Sequence, residues 1–234
     1  MKKNDFKMKN LLYSVVFTLI VSIIFIVYPE VDIEFSKLFF SENNQKFYFA
    51  NHFFLKFVSN LAYFLAFLLL VYNSILILKT FVKTKSFNFE IYKPQMIVLL
   101  VFFIGSVMIV QVYSKHYFGR ARPIHVKEFN GHSTFTPAFK VSNQCKFNCS
   151  FVSFHTSIGL LFLIHSFGLI GKKRKTMIVA SCLLITLLGL TRIVQGKHFL
   201  SDVVVSACFM IITYYLIMTF CEIYRDKKSK SSTI

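Results

Sequence analysis

The sequence predicts an all-α, polytopic membrane protein that forms a six-helix transmembrane bundle. Of its 234 residues, 55% are hydrophobic and 16% are charged, whereas a soluble domain carries about 25% charged residues. Six apolar runs without Asp, Glu, Lys or Arg divide the chain, and a membrane-spanning helix needs about 20 such residues. The charged residues cluster between these runs, as they do in membrane proteins.

The first run follows a basic stretch, as the core of a signal peptide would. It is longer than a typical signal-peptide core and no small-residue cleavage pattern is present, so we interpret it as an uncleaved anchor. The fifth run is short, which indicates that its helix continues through Arg192, and the fourth is long enough to begin in a loop. The runs cover residues 11–28, 57–78, 95–114, 147–171, 176–191 and 203–221.

Lysine and arginine residues predict the orientation, because they mark the cytoplasmic segments of membrane proteins. They cluster before the first run, between the second and third, between the fourth and fifth, and after the sixth. These segments alternate with the other three, so both termini are expected in the cytoplasm. We expect one domain over residues 1–234, with cytoplasmic tails at 1–10 and 222–234 and a long periplasmic loop at 115–153.

This outer loop is basic, although the orientation rule predicts few positive charges there. It holds six Lys and Arg residues against Glu128, and an anionic substrate is the simplest reason for the excess. Nucleic acid is not the expected partner, because the basic residues of the chain are spread among short loops and no nucleic-acid-binding motif is present.

Three segments on the predicted outer face contain groups suited to phosphate chemistry. KHYFGRARP begins at Lys115, CSFVSFH ends at His155, and TRIVQGKHFLSD ends at Asp202. Planar guanidinium groups match the oxygens of a phosphate ester, and a lysine adds a point charge. Lys115, Arg122 and Arg192 are therefore expected to form a phosphate clamp.

Two histidines on this face can divide the chemistry, one as nucleophile and one as general acid. His198 and Asp202 are four residues apart, so they share a face if the sixth helix begins early enough. The carboxylate would then hold the imidazole in the useful tautomer. Taken alone, each charged residue could be an anchor at the membrane interface, and each histidine could be a packing residue. Three such segments on one face favour a catalytic site.

The same segments resemble the signature of the type 2 phosphatidic acid phosphatase superfamily. The first motif of that family is a lysine, six residues, then arginine-proline, and Lys115 with Arg122 and Pro123 matches it. The second is Pro-Ser-Gly-His, which VSFH at 152–155 matches at the serine and the histidine. The sequence departs from this motif at Phe154, where the family has a glycine. A glycine lets a backbone amide approach phosphate closely.

The third motif of the family is serine-arginine, five residues, histidine, three residues, aspartate. Thr191, Arg192, His198 and Asp202 match it with one conservative change. The resemblance extends from about the third predicted helix to the end of the chain, and the order and spacing of the motifs agree with the family.

The resemblance implies a metal-independent phosphatase that uses no cofactor. It makes His198 the nucleophile that becomes a phosphohistidine, Asp202 the residue that orients it, and His155 the acid that protonates the leaving group. By the same resemblance, the phosphoryl oxygens are bound by Lys115, Arg122, Ser153 and Arg192.

The outer loop also resembles that of bacterial lipid A phosphatases, most of all those that remove the 4′-phosphate. Lipid A, or another anionic lipid phosphate in the inner membrane of a Gram-negative bacterium, is therefore the expected substrate. Arg120 and Lys127 are not part of the superfamily signature, so they are candidates for contacting a second phosphate or a neighbouring sugar acid of the headgroup.

Several alternatives remain from the sequence. The lipid A 1-phosphate, undecaprenyl pyrophosphate and phosphatidylglycerol phosphate present phosphate at the same depth. A non-enzymatic lipid-binding protein or transporter is a further alternative, but transporters more often place ionisable groups near the bilayer midplane. The spanning runs here contain no Asp, Glu, Lys or Arg.

Cys145 and Cys149 lie four residues apart in the outer loop. A periplasmic location favours a disulfide between them, the alternatives being two free thiols or half of a metal site. His165, about three turns beyond His155 in the fourth helix, is expected to be a packing residue rather than a proton relay. No role is assigned to the loop histidines.

Overall fold

Long apolar helices dominate the computed structural model, which describes residues 2–85 and 89–231. A π-helical segment, Val101–Ser114, joins α4 to α5, so these three elements form one continuous rod. The α-helices are α1 (Lys2–Val27), α2 (Glu30–Lys37), α3 (Phe53–Thr84), α4 (Phe89–Leu100), α5 (Lys115–Phe118), α6 (Phe154–Phe167), α7 (Gly171–Val194) and α8 (Leu200–Ser231).

Five helical segments of the described chain are long and apolar enough to cross a membrane, namely α1, α3, the rod that begins with α4, α7 and α8. The predicted all-α membrane fold is therefore confirmed. The predicted fourth helix is the exception in length, because α6 has only 14 residues and spans about 21 Å at 1.5 Å per residue. The first residues of that apolar run lie in the outer loop.

The short α6 occupies the centre of the bundle. It packs against α3, α4, the π-helical segment, α7 and α8, and Leu160, Leu161 and Ile164 are buried in the main core. Because its neighbours surround it, α6 does not need the length of a lipid-facing helix. Four of the five long spans thus surround one short central helix, and the fifth, α1, packs against α8.

Contacts place the beginning of α1 beside the end of α8. Lys7 forms an ion pair with the buried Glu222, and the two helices pack along their length. Both helices continue into the predicted cytoplasmic tails, 1–10 and 222–234, which are therefore helical over most of their described residues.

At the other end of α8, two outer segments pack against each other through aromatic rings. The first contains α2 and a short antiparallel hairpin, β1 (Phe40–Ser41) and β2 (Lys46–Phe47). The ring centroids of Phe47 and Phe129 lie 5.1 Å apart, which joins this segment to the loop at 115–153. Ring contacts of this kind stabilise the interface beyond the apolar area that they bury.

The long outer loop has little regular structure but is held at several points. It contains two 3₁₀ turns, Pro123–His125 and Lys127–Phe129. Its end is closed by a disulfide between Cys145 and Cys149, whose Cα atoms are 5.6 Å apart, so the predicted disulfide is confirmed. Of the remaining cysteines, Cys208 and Cys221 are buried.

Candidate active site

A cavity of about 350 Å³ opens at the end of the bundle that carries the outer loop. Its walls come from α3, the π-helical segment, α5, α6, α7 and the turn before α8, together with the loop around the disulfide. The structure brings five of the predicted site residues into this one cavity, namely Lys115, Arg122, His155, Arg192 and His198.

Helix ends position most of these side chains. Lys115 begins α5, His155 lies in the first turn of α6, and Arg192 lies in the last turn of α7. The turn that carries His198 depends on Gly196, which has φ +66° and packs so close to Phe47 that an added Cβ would lie 2.5 Å from the ring. A tight glycine turn therefore places His198 over the cavity.

His198 and Asp202 form the pair that the four-residue spacing predicts. The helix α8 begins at Leu200, so the histidine lies just before it and the aspartate lies in its first turn. The distance from His198 Nδ1 to Asp202 Oδ2 is 3.5 Å. Because Nδ1 faces the carboxylate, Nε2 is the ring nitrogen left to react in the cavity.

Asp202 is fully buried and surrounded by donors. Its Oδ2 accepts hydrogen bonds from the Ser150 hydroxyl at 2.5 Å and from the Phe199 amide at 2.8 Å. Burial lowers the pKa of His198 to about 3, although Asp202 opposes that shift. His198 is therefore a neutral imidazole near pH 7, the state that a nitrogen nucleophile requires.

His155 is held by an aromatic neighbour on α3. The Tyr63 hydroxyl lies 3.3 Å from His155 Nδ1, and the two ring centroids are 4.6 Å apart. The Nε2 atom of His155 is buried and has no hydrogen-bond partner. A general acid must be the protonated imidazolium, in which both ring nitrogens donate. Nδ1 then donates to the Tyr63 hydroxyl oxygen, and Nε2 holds the proton that can be given away. Burial and the surrounding cations lower the pKa of His155 to about 2, so an anionic ligand in the cavity is needed to favour the imidazolium.

Three cationic side chains complete the cavity wall. Arg122 donates to the Asn148 backbone oxygen at 3.0 Å and to its Oδ1 at 2.6 Å, and Lys115 approaches the same Oδ1 at 3.4 Å. Arg192 donates to Gln195 Oε1 at 2.9 Å, while its buried Nε has no partner. Among the described lining residues there is no carboxylate, so the cavity is suited to an anion.

Ser153 is placed differently from its expected role. It is fully buried, and its hydroxyl accepts from the Thr156 amide at 3.5 Å as the N-cap of α6. It does not belong to the side chains that line the cavity. The geometry gives it the role of starting the helix that presents His155.

The prediction that Arg120 contacts a headgroup is wrong. Its side chain is 1% exposed, and its guanidinium donates to Asp32 Oδ2 at 2.8 Å and to Asp202 Oδ1 at 2.7 Å. Protein atoms enclose and satisfy this charge, so it is not free for a ligand. Lys127 is exposed in the second 3₁₀ turn, and its headgroup contact stays a prediction.

Sequence reasoning missed Tyr63, Asn148 and Asp32. Tyr63 lies within a long apolar helix, and no motif marks it. The sequence does contain a signal for Asn148, because this residue lies between the two disulfide cysteines and beside the second motif. The phenylalanine that replaces the family glycine, Phe154, finds room by stacking on Tyr63 with ring centroids 6.0 Å apart.

No three His, Cys, Asp or Glu side chains of the described residues are grouped as a metal site would require. The cationic side chains can supply charge stabilisation instead, because guanidinium and ammonium groups fixed in a dry cavity act on developing phosphoryl charge without reorganisation. Independence from metals stays a prediction.

Comparisons with known proteins agree with this geometry. The sequence model described as the PAP2 superfamily matches residues 96–224. A lipid A 4′-phosphatase of Francisella tularensis subsp. novicida (strain U112) is 31% identical over 207 residues, which are 88% of this chain and 92% of that protein. A lipid A 4′-phosphatase of Rhizobium leguminosarum is 31% identical over 146 residues, 62% of each chain.

A solved structure has the same fold. It is the crystal structure of a transmembrane PAP2-type phosphatidylglycerolphosphate phosphatase from Bacillus subtilis, with a TM-score of 0.59 and 17% identity. The match covers 91% of this chain and 96% of that one.

Proposed function

Because the chain belongs to the PAP2 superfamily, we propose that it is a lipid phosphatase that removes the 4′-phosphate of lipid A. The observation that carries the proposal is the cavity in which two differently held histidines face three cations. The full-length similarity to a lipid A 4′-phosphatase supports the choice of substrate.

The reaction begins when His198 Nε2 attacks the phosphorus atom. The P–N bond forms as the P–O bond to the sugar breaks. His155, which the anionic phosphate stabilises as imidazolium, gives its Nε2 proton to the departing oxygen and becomes neutral. Lys115, Arg122 and Arg192 hold the phosphoryl oxygens, so the developing negative charge meets fixed positive charge. The products of this step are the dephosphorylated lipid and a phosphohistidine on His198.

Water then completes the turnover. His155, now without that proton, accepts one from a water molecule as its oxygen attacks the phosphorus. The P–N bond breaks, inorganic phosphate leaves, and both histidines return to their starting states. Asp202 holds His198 in one tautomer through both steps and stabilises the positive charge that the ring carries as phosphohistidine.

The position of the cavity suits a lipid substrate. It lies at an end of the helices, and Phe147 on its wall is 84% exposed, so an acylated sugar can reach the site while its chains stay in the bilayer. The site is proposed to face the periplasm of a Gram-negative bacterium from its inner membrane, with both termini in the cytoplasm.

The test uses purified protein and bis-phosphorylated lipid A. After incubation, fragmentation mass spectrometry locates the phosphate that remains, and the proposal predicts loss of the 4′-phosphate only. Loss of the 1-phosphate alone would mean that the position is wrong. Hydrolysis of undecaprenyl pyrophosphate or phosphatidylglycerol phosphate, with lipid A untouched, would mean that the substrate class is wrong.

A further inference from the structure

Behind the nucleophile lies a buried row of three charges that joins the two outer segments. Arg120 stands between two carboxylates and donates one hydrogen bond to Asp32 at 2.8 Å and one to Asp202 at 2.7 Å. The side chains of all three residues are at most 1% exposed. Asp32 comes from α2, outside the part of the chain that the superfamily model matches.

The partners of Asp32 favour its charged form. Its Oδ1 accepts from the Ser201 amide at 2.8 Å, and its Oδ2 accepts from the Ser201 hydroxyl at 2.6 Å as well as from Arg120. Every one of these contacts is a donor to carboxylate oxygen. The pKa of Asp32 is raised on balance, because burial and the nearby Asp202 charge outweigh the lowering by Arg120 and the Ser201 hydroxyl. The charged form is therefore assigned from the geometry, in which both oxygens accept from donors.

Two carboxylates and one guanidinium leave the row with one net negative charge. Without Asp32, the charge of Arg120 would fall on Asp202 alone and the row would be neutral. Asp202 would still be present, but a cation 2.7 Å away would offset part of its field at His198. In a buried site the offset is larger than it would be in water, because screening is weaker.

We propose that Asp32 is a positioning residue for the reaction. Its carboxylate compensates the charge of Arg120, so that the negative charge of Asp202 acts on His198. This inference rests on the proposed function, because it concerns the histidine nucleophile. Arg120 fixes the Oδ1 atom of Asp202 and thereby turns Oδ2 toward His198, while Asp32 removes the electrostatic cost of that contact. The charge is needed most when His198 carries the phosphoryl group and becomes cationic.

The inference predicts a loss of turnover rather than of substrate binding. In Asp32→Asn, kcat should fall about 10- to 100-fold, the range typical for losing a group that orients a residue at a reacting centre. KM should change less than about twofold, because Asp32 is fully buried and does not line the cavity, so its effect is confined to the reacting state. Glu34→Gln, which removes an exposed carboxylate from the same helix, should have wild-type kcat and KM.

A double variant separates charge from packing. Asp32→Asn with Arg120→Gln removes both the compensating anion and the cation, but the glutamine amide can still donate to Asp202 Oδ1. No cation then offsets the charge of Asp202 at His198. The double variant should recover at least about tenfold in kcat over Asp32→Asn, although it has lost more hydrogen bonds. If Asp32→Asn alone fails to fold, the double variant decides: kcat within about tenfold of wild type supports the inference, and an inactive folded double variant overturns it.

The assay is run with lipid A and with phosphatidic acid, and with His198→Ala as the inactive reference. Wild-type kcat in Asp32→Asn, in an assay where His198→Ala is inactive, overturns the role of Asp32 and leaves the proposed function intact. Hydrolysis of phosphatidic acid but not lipid A overturns the proposed substrate, and the variants are then compared on phosphatidic acid.

Discussion

At the residue scale, the two histidines of the cavity differ in the group that contacts Nδ1. His198 faces the carboxylate of Asp202, which suits a nitrogen that becomes positively charged. His155 faces the neutral hydroxyl of Tyr63, which leaves its proton free to move to the substrate. The neighbour of each ring therefore supports the proposal that His198 is the nucleophile and His155 the acid.

Removing the Tyr63 hydroxyl should weaken the acid without emptying the cavity. In Tyr63→Phe the ring still packs against Phe154 and His155, but no hydroxyl oxygen accepts from His155 Nδ1 to orient the imidazolium. We expect kcat to fall about tenfold, below the 10²- to 10⁴-fold contribution typical of a general acid, with KM nearly unchanged.

Tyr72→Phe is the matched control, since it makes the same change in the same helix beside His165, with ring centroids 6.0 Å apart. Steady-state kinetics on both variants provide the comparison. A wild-type kcat in Tyr63→Phe would rule out a role for the Tyr63 hydroxyl in orienting His155. A large loss in Tyr72→Phe would mean that the effect is not specific to His155.

The charge that stabilises the transition state is expected to come from Lys115, Arg122 and Arg192. Activity should therefore survive incubation with EDTA. Vanadate should inhibit competitively, because it adopts the trigonal bipyramidal geometry of the transferring phosphoryl group. Loss of activity in EDTA with recovery on adding a divalent cation would show that the three side chains do not suffice.

Five of the residues that line the cavity could be predicted because their spacing is a signature, but the residues behind them could not. Arg120 is an example of a residue that the sequence does not place. Its position in a basic outer loop predicts an exposed charge, and its partner Asp32 is 88 positions away. Only the packing of two outer segments brings them together. Tyr63 likewise has no local pattern that distinguishes it from other aromatic residues of an apolar helix.

At the element scale, the outer loop orients two residues of the proposed phosphate clamp through one asparagine. Asn148 accepts hydrogen bonds from both Arg122 and Lys115, and the adjacent disulfide limits how far it can move. The loop therefore holds two cations toward the cavity even before a substrate is bound. This preorganisation reduces the entropy lost on binding.

Breaking the disulfide should loosen this arrangement. In Cys145→Ser with Cys149→Ser, we expect KM to rise about three- to tenfold, because clamp residues that must be ordered on binding weaken affinity, with a smaller effect on kcat. Cys182→Ser is the control, as this free cysteine is exposed on α7. Unchanged KM after substitution or after reduction of the wild type would mean that the loop keeps its shape without the bond.

Helix boundaries show what apolar runs can and cannot predict. Five runs became long spans, since length and hydrophobicity decide whether a helix crosses a bilayer. The fourth run did not, because Ser153 caps α6 in the middle of it. An N-cap serine inside an apolar run does not interrupt its hydrophobicity. The length of the run therefore overestimates the length of the helix.

At the scale of the whole molecule, the helices separate two chemically different ends. One end carries the cavity, and the other carries the ion pair of Lys7 with Glu222. Residues 202 and 222 are joined by continuous helix in α8, which is about 30 Å at 1.5 Å per residue. This distance matches the hydrocarbon thickness of a bilayer, so the two ends can lie in different compartments.

Labelling of single cysteines tests which end lies outside. In a background where Cys182, Cys208 and Cys221 are replaced and the disulfide is kept, a cysteine is introduced at Asn130 or at Lys173. A membrane-impermeant maleimide applied to intact spheroplasts should label the Asn130→Cys protein but not the Lys173→Cys protein. The reverse pattern would place the cavity in the cytoplasm, and permeabilised cells provide the control for accessibility.

The central claim, that His198 takes the 4′-phosphate of lipid A, is tested most directly by trapping the intermediate. Lipid A with a radioactive phosphate at the 4′ position is mixed with the purified protein, the reaction is stopped in alkali, where phosphohistidine survives, and the labelled peptide is identified. The label should appear on the peptide that contains His198, and it should be absent from His198→Ala and from reactions with lipid A labelled at the 1 position. Release of the 4′-phosphate without label on His198, or label transferred from the 1 position, would contradict the account.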